Sequence, residues 1–163
     1  MREIWKQIGD FPRYEINNRG EIANIFTGKT MKNRTNGHGI LMVDLTKDDG
    51  QYTRSVKTLV AREFVDGRND IFNTAIQRDG NRENCDATNL VWRPRWFAIE
   101  YAKQFRDVHP KVREYGPIVD EQHLKYQTLQ DAAIVNGALM MDIYMGLFTG
   151  QPIFPDWHTF SLM

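Results

Sequence analysis

The chain has 163 residues, 41% of them apolar and 26% charged, with 21 basic side chains against 21 acidic ones, a globular composition that excludes disordered and fibrous classes. No apolar run approaches the roughly 20 residues needed to cross a bilayer, and the opening MREIWKQIGD lacks the apolar centre of a secretion signal, so no membrane role is expected. Cys85 is the only cysteine, which rules out an intrachain disulfide and a cysteine-based zinc site and suits a reducing compartment.

Zero net charge argues against a protein that relies on phosphate attraction alone, because nonspecific nucleic-acid affinity comes from lysine and arginine displacing counterions. The distribution is uneven. Residues 1–68 carry 12 basic and 9 acidic side chains, residues 69–103 carry 5 of each, and residues 104–163 carry 4 and 7. Basic character therefore fades toward the C-terminus.

In chain order, the first third reads as short strands joined by turns. Asn17-Asn18-Arg19-Gly20 closes one hairpin between Ile16 and Ile22, and Asn36-Gly37-His38-Gly39 opens the next, both using residues that tolerate tight turns. Leu41, Val43 and Leu45 alternate with Met42, Asp44 and Thr46, and Asp48-Asp49-Gly50 turns the chain into Gln51 to Ser55. The period is that of a half-buried antiparallel sheet. From Val56 to Val65 the spacing of Leu59, Val60, Glu63 and Phe64 becomes helical, and Gly67 stops the run. Ala75 to Arg78 reads as a strand, residues 81–88 as a long polar loop and Asn89 to Trp92 as a second strand. Pro94 is placed to open a helix through Trp96, Ile99, Ala102 and Phe105. After a charged connector at Arg106 to Arg113, helices are expected over Leu129 to Val135 and Leu139 to Leu147, joined at Asn136-Gly137 like a helix-turn-helix. The tail from Ile153 to Leu162, with Phe154, Trp157 and Phe160, is too apolar to be free and is expected to pack onto something.

Three segments carry a family resemblance. Glu3-Ile4-Trp5-Lys6-Gln7-Ile8 with Tyr14-Glu15-Ile16-Asn17-Asn18-Arg19-Gly20-Glu21-Ile22 resembles the nuclease-associated pattern E-x-W-K-x-I, Y-x-V-S-N-x-G-x-V. Val56 to Phe64, Asp79-Gly80-Asn81, Asn84 and Asn89-Leu90-Val91-Trp92 are similar to the HNH core pattern V-H-R-L-V-A-x-x-F, N-H-x-D-G-N-x-x-N, N-L-x-W. Tyr126 to Ala133 with Gly137, Gly150 and Trp157 resembles the helix-turn-helix repeat that follows such cores. Together they resemble the HNH homing endonucleases of phages and mobile introns. The resemblance implies an α+β fold: a small antiparallel N-terminal sheet over residues 1–55, a ββα-metal finger over 56–105 and a helix-turn-helix-like module over 106–163.

In that family a histidine base activates water beside one divalent ion, which neighbouring acidic or amide groups and a helix asparagine hold. By the resemblance, the histidine position is occupied by Gln77, the residue before it by Ile76, and the helix asparagine by Ala98; only Asn89 of the triad remains, and Lys57 replaces a further histidine. No histidine lies between His38 and His109. An amide cannot take a proton at neutral pH and hydrocarbon cannot ligate a hard cation, so no catalytic residue set, metal or cofactor is expected, and Mg2+ enters only if cleavage survives. Beyond its substitution for histidine, nothing in the sequence gives Lys57 a role, and Cys85 reads as passive.

Arg19, Lys32, Arg34, Arg78, Asn81, Arg82 and Asn84 are the candidate DNA contacts. The stretch Ala138 to Met145 holds no cation, unlike a helix that reads base edges. Met140, Met141, Tyr144, Met145, Phe154, Trp157 and Phe160 are too many apolar groups for two short helices to bury and are the candidate protein contacts. The leading expectation is a catalytically silent, phage-type binding module with a protein partner, a virion component or host enzyme, in the host cytoplasm or the virion. Its alternatives are a DNA-nicking endonuclease and a non-cleaving DNA-binding regulator.

Overall fold

A computed structural model describes residues 2–48 and 50–163; Asp49 of the expected turn lies outside the described residues. The chain divides into two compact units, residues 1–77 with 81–95, and residues 78–80 with 96–163.

The first unit opens with β1 (Trp5–Gln7), β2 (Tyr14–Asn17) and β3 (Ile22–Asn24), an antiparallel sheet in that order. Its β2–β3 turn is built by Asn17, whose Oδ1 accepts the amides of Arg19 at 3.0 Å and Glu21 at 2.9 Å. Gly20 completes it with φ of +93°, where a Cβ would stand 2.9 Å from Val56 Cγ1. Next come β4 (Arg34–Thr35), β5 (Leu41–Lys47) and β6 (Gly50–Ser55), a second antiparallel sheet. Tyr14 reaches across to it, its hydroxyl 2.8 Å from Thr46 Oγ1. The helix α1 (Val56–Phe64) follows without a side-chain cap from Ser55. It ends at Val65, before Gly67, and Trp92 Nε1 donates to the freed Val65 carbonyl at 3.0 Å.

The strands β7 (Thr74–Gln77) and β8 (Leu90–Arg93) pair antiparallel, Ile76 opposite Val91 and Gln77 opposite Leu90. The polar loop between them ends in a 3-10 turn at Ala87–Asn89, which Asp86 caps through the Thr88 amide. Ile8, Ile16, Ile22, Val43, Leu45, Val56, Val60, Leu90 and Trp92 share one core. Residues of the expected 1–55 module thus share a core with the part of the 56–105 module up to Trp92, each large side chain contributing roughly 1.5–3 kcal/mol by leaving water; residues 96–105 fall in the second unit.

The second unit contains α2 (Arg95–Asp107), α3 (Pro110–Arg113), β9 (Ile118–Asp120), β10 (Lys125–Tyr126), α4 (Leu129–Asn136), α5 (Met140–Thr149) and β11 (Phe160–Leu162). Thr128 and Asp131 form a reciprocal capping box at the start of α4, satisfying two of its orphan amides. Gly137 ends it in the left-handed region, and α5 departs at 112°, an angle within the range of helix-turn-helix units. No single helix among the described residues is long and apolar enough to cross a membrane.

The segment from Ile153 to Leu162 packs as its apolar residues led one to expect: β11 pairs with β9, Phe160 opposite Asp120, in a sheet ordered β10-β9-β11. One expectation is corrected. Of the candidate protein contacts, Met140 and Phe160 are core, with Ile118, Leu129 and Ile143. The expectation failed because the module is more than two helices: α2, α3 and a sheet supply further packing surface. Tyr144 and Phe154 are half-buried, Phe154 against the rings of Trp96 and Phe97. Met141, Met145 and Trp157 are exposed.

Candidate nucleic-acid site of the two-stranded unit

The site is built where β7 runs out. Ala75, Ile76 and Gln77 are all buried, so Gln77 carries a polar group into the interior, and burial is tolerable only if that group is bonded. Its Nε2 donates to the Arg82 carbonyl at 2.7 Å, and the Cys85 sulfur lies 3.9 Å away. The amide oxygen accepts from Lys57 Nζ at 3.4 Å. Gln77 thus ties the polar loop back onto the strand.

Lys57 stands on the first turn of α1, half-buried. Loss of solvation holds its ammonium below the usual lysine range; the thiol of Cys85 acts against that shift and the guanidinium of Arg82 adds to it. No Asp or Glu among the described residues forms an ion pair with Lys57 or Arg82. Asn89, half-buried at the end of the 3-10 turn, donates Nδ2 to the Asn84 carbonyl at 3.1 Å.

The candidate DNA contacts separate into distinct environments. Arg19, Lys32, Asn81 and Arg82 are exposed, and Arg82 Nη1 donates to the His38 carbonyl. Arg34 is exposed but held in a two-pronged pair with Asp44, both bonds 3.1 Å. Asn84 is half-buried and its Oδ1 accepts the Asp86 amide at 3.3 Å. Arg78 is a correction: it is half-buried, its Nη1 donates to the Val135 carbonyl at 2.9 Å and its Nε is enclosed. The strand ends at Gln77, so Arg78 leaves the loop and serves the C-terminal end of α4 instead.

The NUMOD4 motif matches residues 3–46. An uncharacterized HNH endonuclease, L247, of Acanthamoeba polyphaga mimivirus is 38% identical over 88 residues, 54% of this chain and 22% of that protein. DNA endonuclease I-HmuI of Bacillus phage SP01 is 34% identical over 89 residues, 54% of this chain and 51% of that protein. Over these segments the chain is similar to HNH homing endonucleases. The solved structure described as DNA binding and cleavage by the HNH homing endonuclease I-HmuI shares the fold over 98% of both chains, with a TM-score of 0.58 and 24% identity. The segments matched in sequence span between about a fifth and half of these curated relatives.

Within the HNH frame, Gln77 and Asn89 lie in the first unit, while Ala98 lies on α2 in the second. No group of three or more His, Cys, Asp or Glu side chains among the described residues is arranged to hold a metal. An ammonium group bonds to Gln77, the residue at the histidine position. A positive neighbour repels a cation, and the Gln77 amide oxygen, the atom able to ligate one, is turned to that ammonium. Lys57 is the functional candidate the sequence missed. The available signal was a lysine placed among helix-core residues: Val56, Leu59 and Val60 around it are all buried.

Proposed function

We propose that this chain engages duplex DNA as a protein of the homing-endonuclease type, and that its HNH core holds DNA without hydrolysing it by the family's histidine route. The observation that carries the second half is Gln77, buried and bonded at both ends of its amide. It has no basic nitrogen to draw a proton from water, a loss worth on the order of 10² to 10⁴ in rate. The first half is supported by the identity to proteins named as DNA endonucleases and by exposed Arg19, Lys32, Asn81 and Arg82 on the first unit.

The test pairs a gel shift on duplex DNA at low salt with incubation of supercoiled plasmid in Mg2+ or Mn2+. Binding without nicking is the expected result. Nicking that disappears in Asn89→Ala would overturn the silent-core reading and establish the second one, a nicking endonuclease, which the retained Asn89 and the same identities favour. The protein-docking role has narrower support, the exposed side chains of Met141, Met145 and Trp157. A salt-resistant complex with another protein would favour it over DNA.

A further inference from the structure

We infer that Lys57 and Arg82 form a metal-independent site for one backbone phosphate of DNA, beside the residue that occupies the family's catalytic position. The inference rests on the DNA-binding reading above and names the group that the core grips.

Lys57 is a half-buried cation with no carboxylate beside it among the described residues, and only the Cys85 sulfur favours its charge. The one side-chain hydrogen bond of Lys57 is to Gln77, and at 3.4 Å it is longer than the roughly 2.7–3.2 Å of a good N–H to oxygen bond. Arg82, exposed on the polar loop, spends one donor on the His38 carbonyl out of the five its guanidinium carries. The two charges act on each other unfavourably. No carboxylate among the described residues pairs with either. Two cations that repel each other are stabilised by an anion that both can reach.

Charge and shape identify that anion. Lys57 is a point charge fixed at its base on a helix, and Arg82 is a planar fork, the two donors best suited to phosphate oxygens. Together they carry the charge of one divalent ion, yet neither supplies a bound water to act as nucleophile. The pair therefore suits an intact phosphodiester, held and not cut. Gln77 serves as a positioning residue: its amide oxygen orients the ammonium while its nitrogen fixes the loop that carries Arg82.

The test uses the full chain and a fluorescent duplex, with affinity measured by anisotropy across a salt series. Lys57→Met keeps the packing stem and removes the charge; Lys57→Arg restores charge; Arg82→Ala removes the fork. Lys57→Met and Arg82→Ala are each expected to lower the slope of log affinity against log salt by about 1, with Lys57→Arg close to wild type. Circular dichroism confirms that each variant is folded. A folded Lys57→Met chain with the wild-type slope and affinity overturns the site. Should the wild-type chain bind no duplex, the DNA reading falls separately, and inorganic phosphate then tests the anion site by NMR. Shifts of the Lys57 side-chain resonances that are abolished in Arg82→Ala sustain the anion site, and their absence in the wild type overturns it.

Discussion

A Cβ built on Gly80 would lie 2.6 Å from the ring of Phe105, and the glycine sits at φ of +73°. The Asp79-Gly80-Asn81 motif therefore contains one residue that the second unit requires for packing. Tyr101, one helical turn before Phe105, donates its hydroxyl to the Arg78 carbonyl at 2.6 Å, so residues 78–80 are held against α2 from two sides.

Gly80→Ala is accordingly expected to destabilise the fold. Strain at a left-handed residue costs on the order of 1–3 kcal/mol, and displacing an aromatic ring adds to it. Thermal unfolding of the variant should show a lower Tm, and a double variant with Phe105→Leu should recover part of the loss. An unchanged Tm in Gly80→Ala would remove this role for the motif.

Lys57 makes stability depend on pH in a definite direction. Burial disfavours its charged form in the folded chain, so the unfolded chain binds this proton more tightly. Stability is then gained as pH rises from the depressed folded value toward the ordinary lysine value, and is lost as pH falls through that window. Lys57→Met is expected to be more stable than wild type at neutral pH, with the advantage shrinking as the solution becomes alkaline. Denaturant titrations at neutral pH and near pH 10 check this, and an advantage independent of pH would show that desolvation is not its source.

Gln104 substitutes for a cap that the sequence does not provide. The N-cap residue of α5 is Leu139, which has no side-chain acceptor; instead Gln104 Oε1 accepts the Met140 amide at 2.7 Å, and Nε2 donates to the Ala138 carbonyl at 3.4 Å. Gln104→Leu would leave a buried amide without its partner, at a cost of about 1–3 kcal/mol. Denaturant unfolding should show a lower midpoint with an unchanged m value, and Gln104→Glu should retain more stability than Gln104→Leu because it keeps the acceptor.

These residues also explain what could be read from sequence. Turns and alternation were legible because their chemistry is local: Asn17 and Gly20 form a turn by themselves, and Leu41, Val43 and Leu45 declare a buried face. The short strands β9, β10 and β11 were not, since two or three residues show no period and their partners lie far along the chain. Phe160 therefore reads from sequence as a candidate protein contact, although its strand pairs with β9 and its side chain is in the core. At the candidate site the substitutions at Ile76, Gln77 and Ala98 were visible by resemblance. The Lys57–Gln77 bond was not, because it joins residues 20 positions apart whose approach depends on how α1 lies on β7.

The C-terminal strand is fastened by one carboxylate. Glu121 Oε2 accepts the Thr159 amide at 2.7 Å and its other oxygen meets His158 Nδ1, immediately before β11. Burial acts to raise the Glu121 carboxyl, but the bonds to His158 and to backbone amides prevail and hold it below the usual glutamate range. The fastening is thus complete above the ordinary carboxylate value and is lost as pH falls through the depressed one. Glu121→Ala should speed hydrogen exchange at Ser161 and Leu162, whose strand partner is β9, relative to wild type at pH 6. At pH 3 the two proteins should converge once rates are normalised to the intrinsic exchange of each peptide. Equal protection at pH 6 would show that the pairing with β9 holds the strand without Glu121.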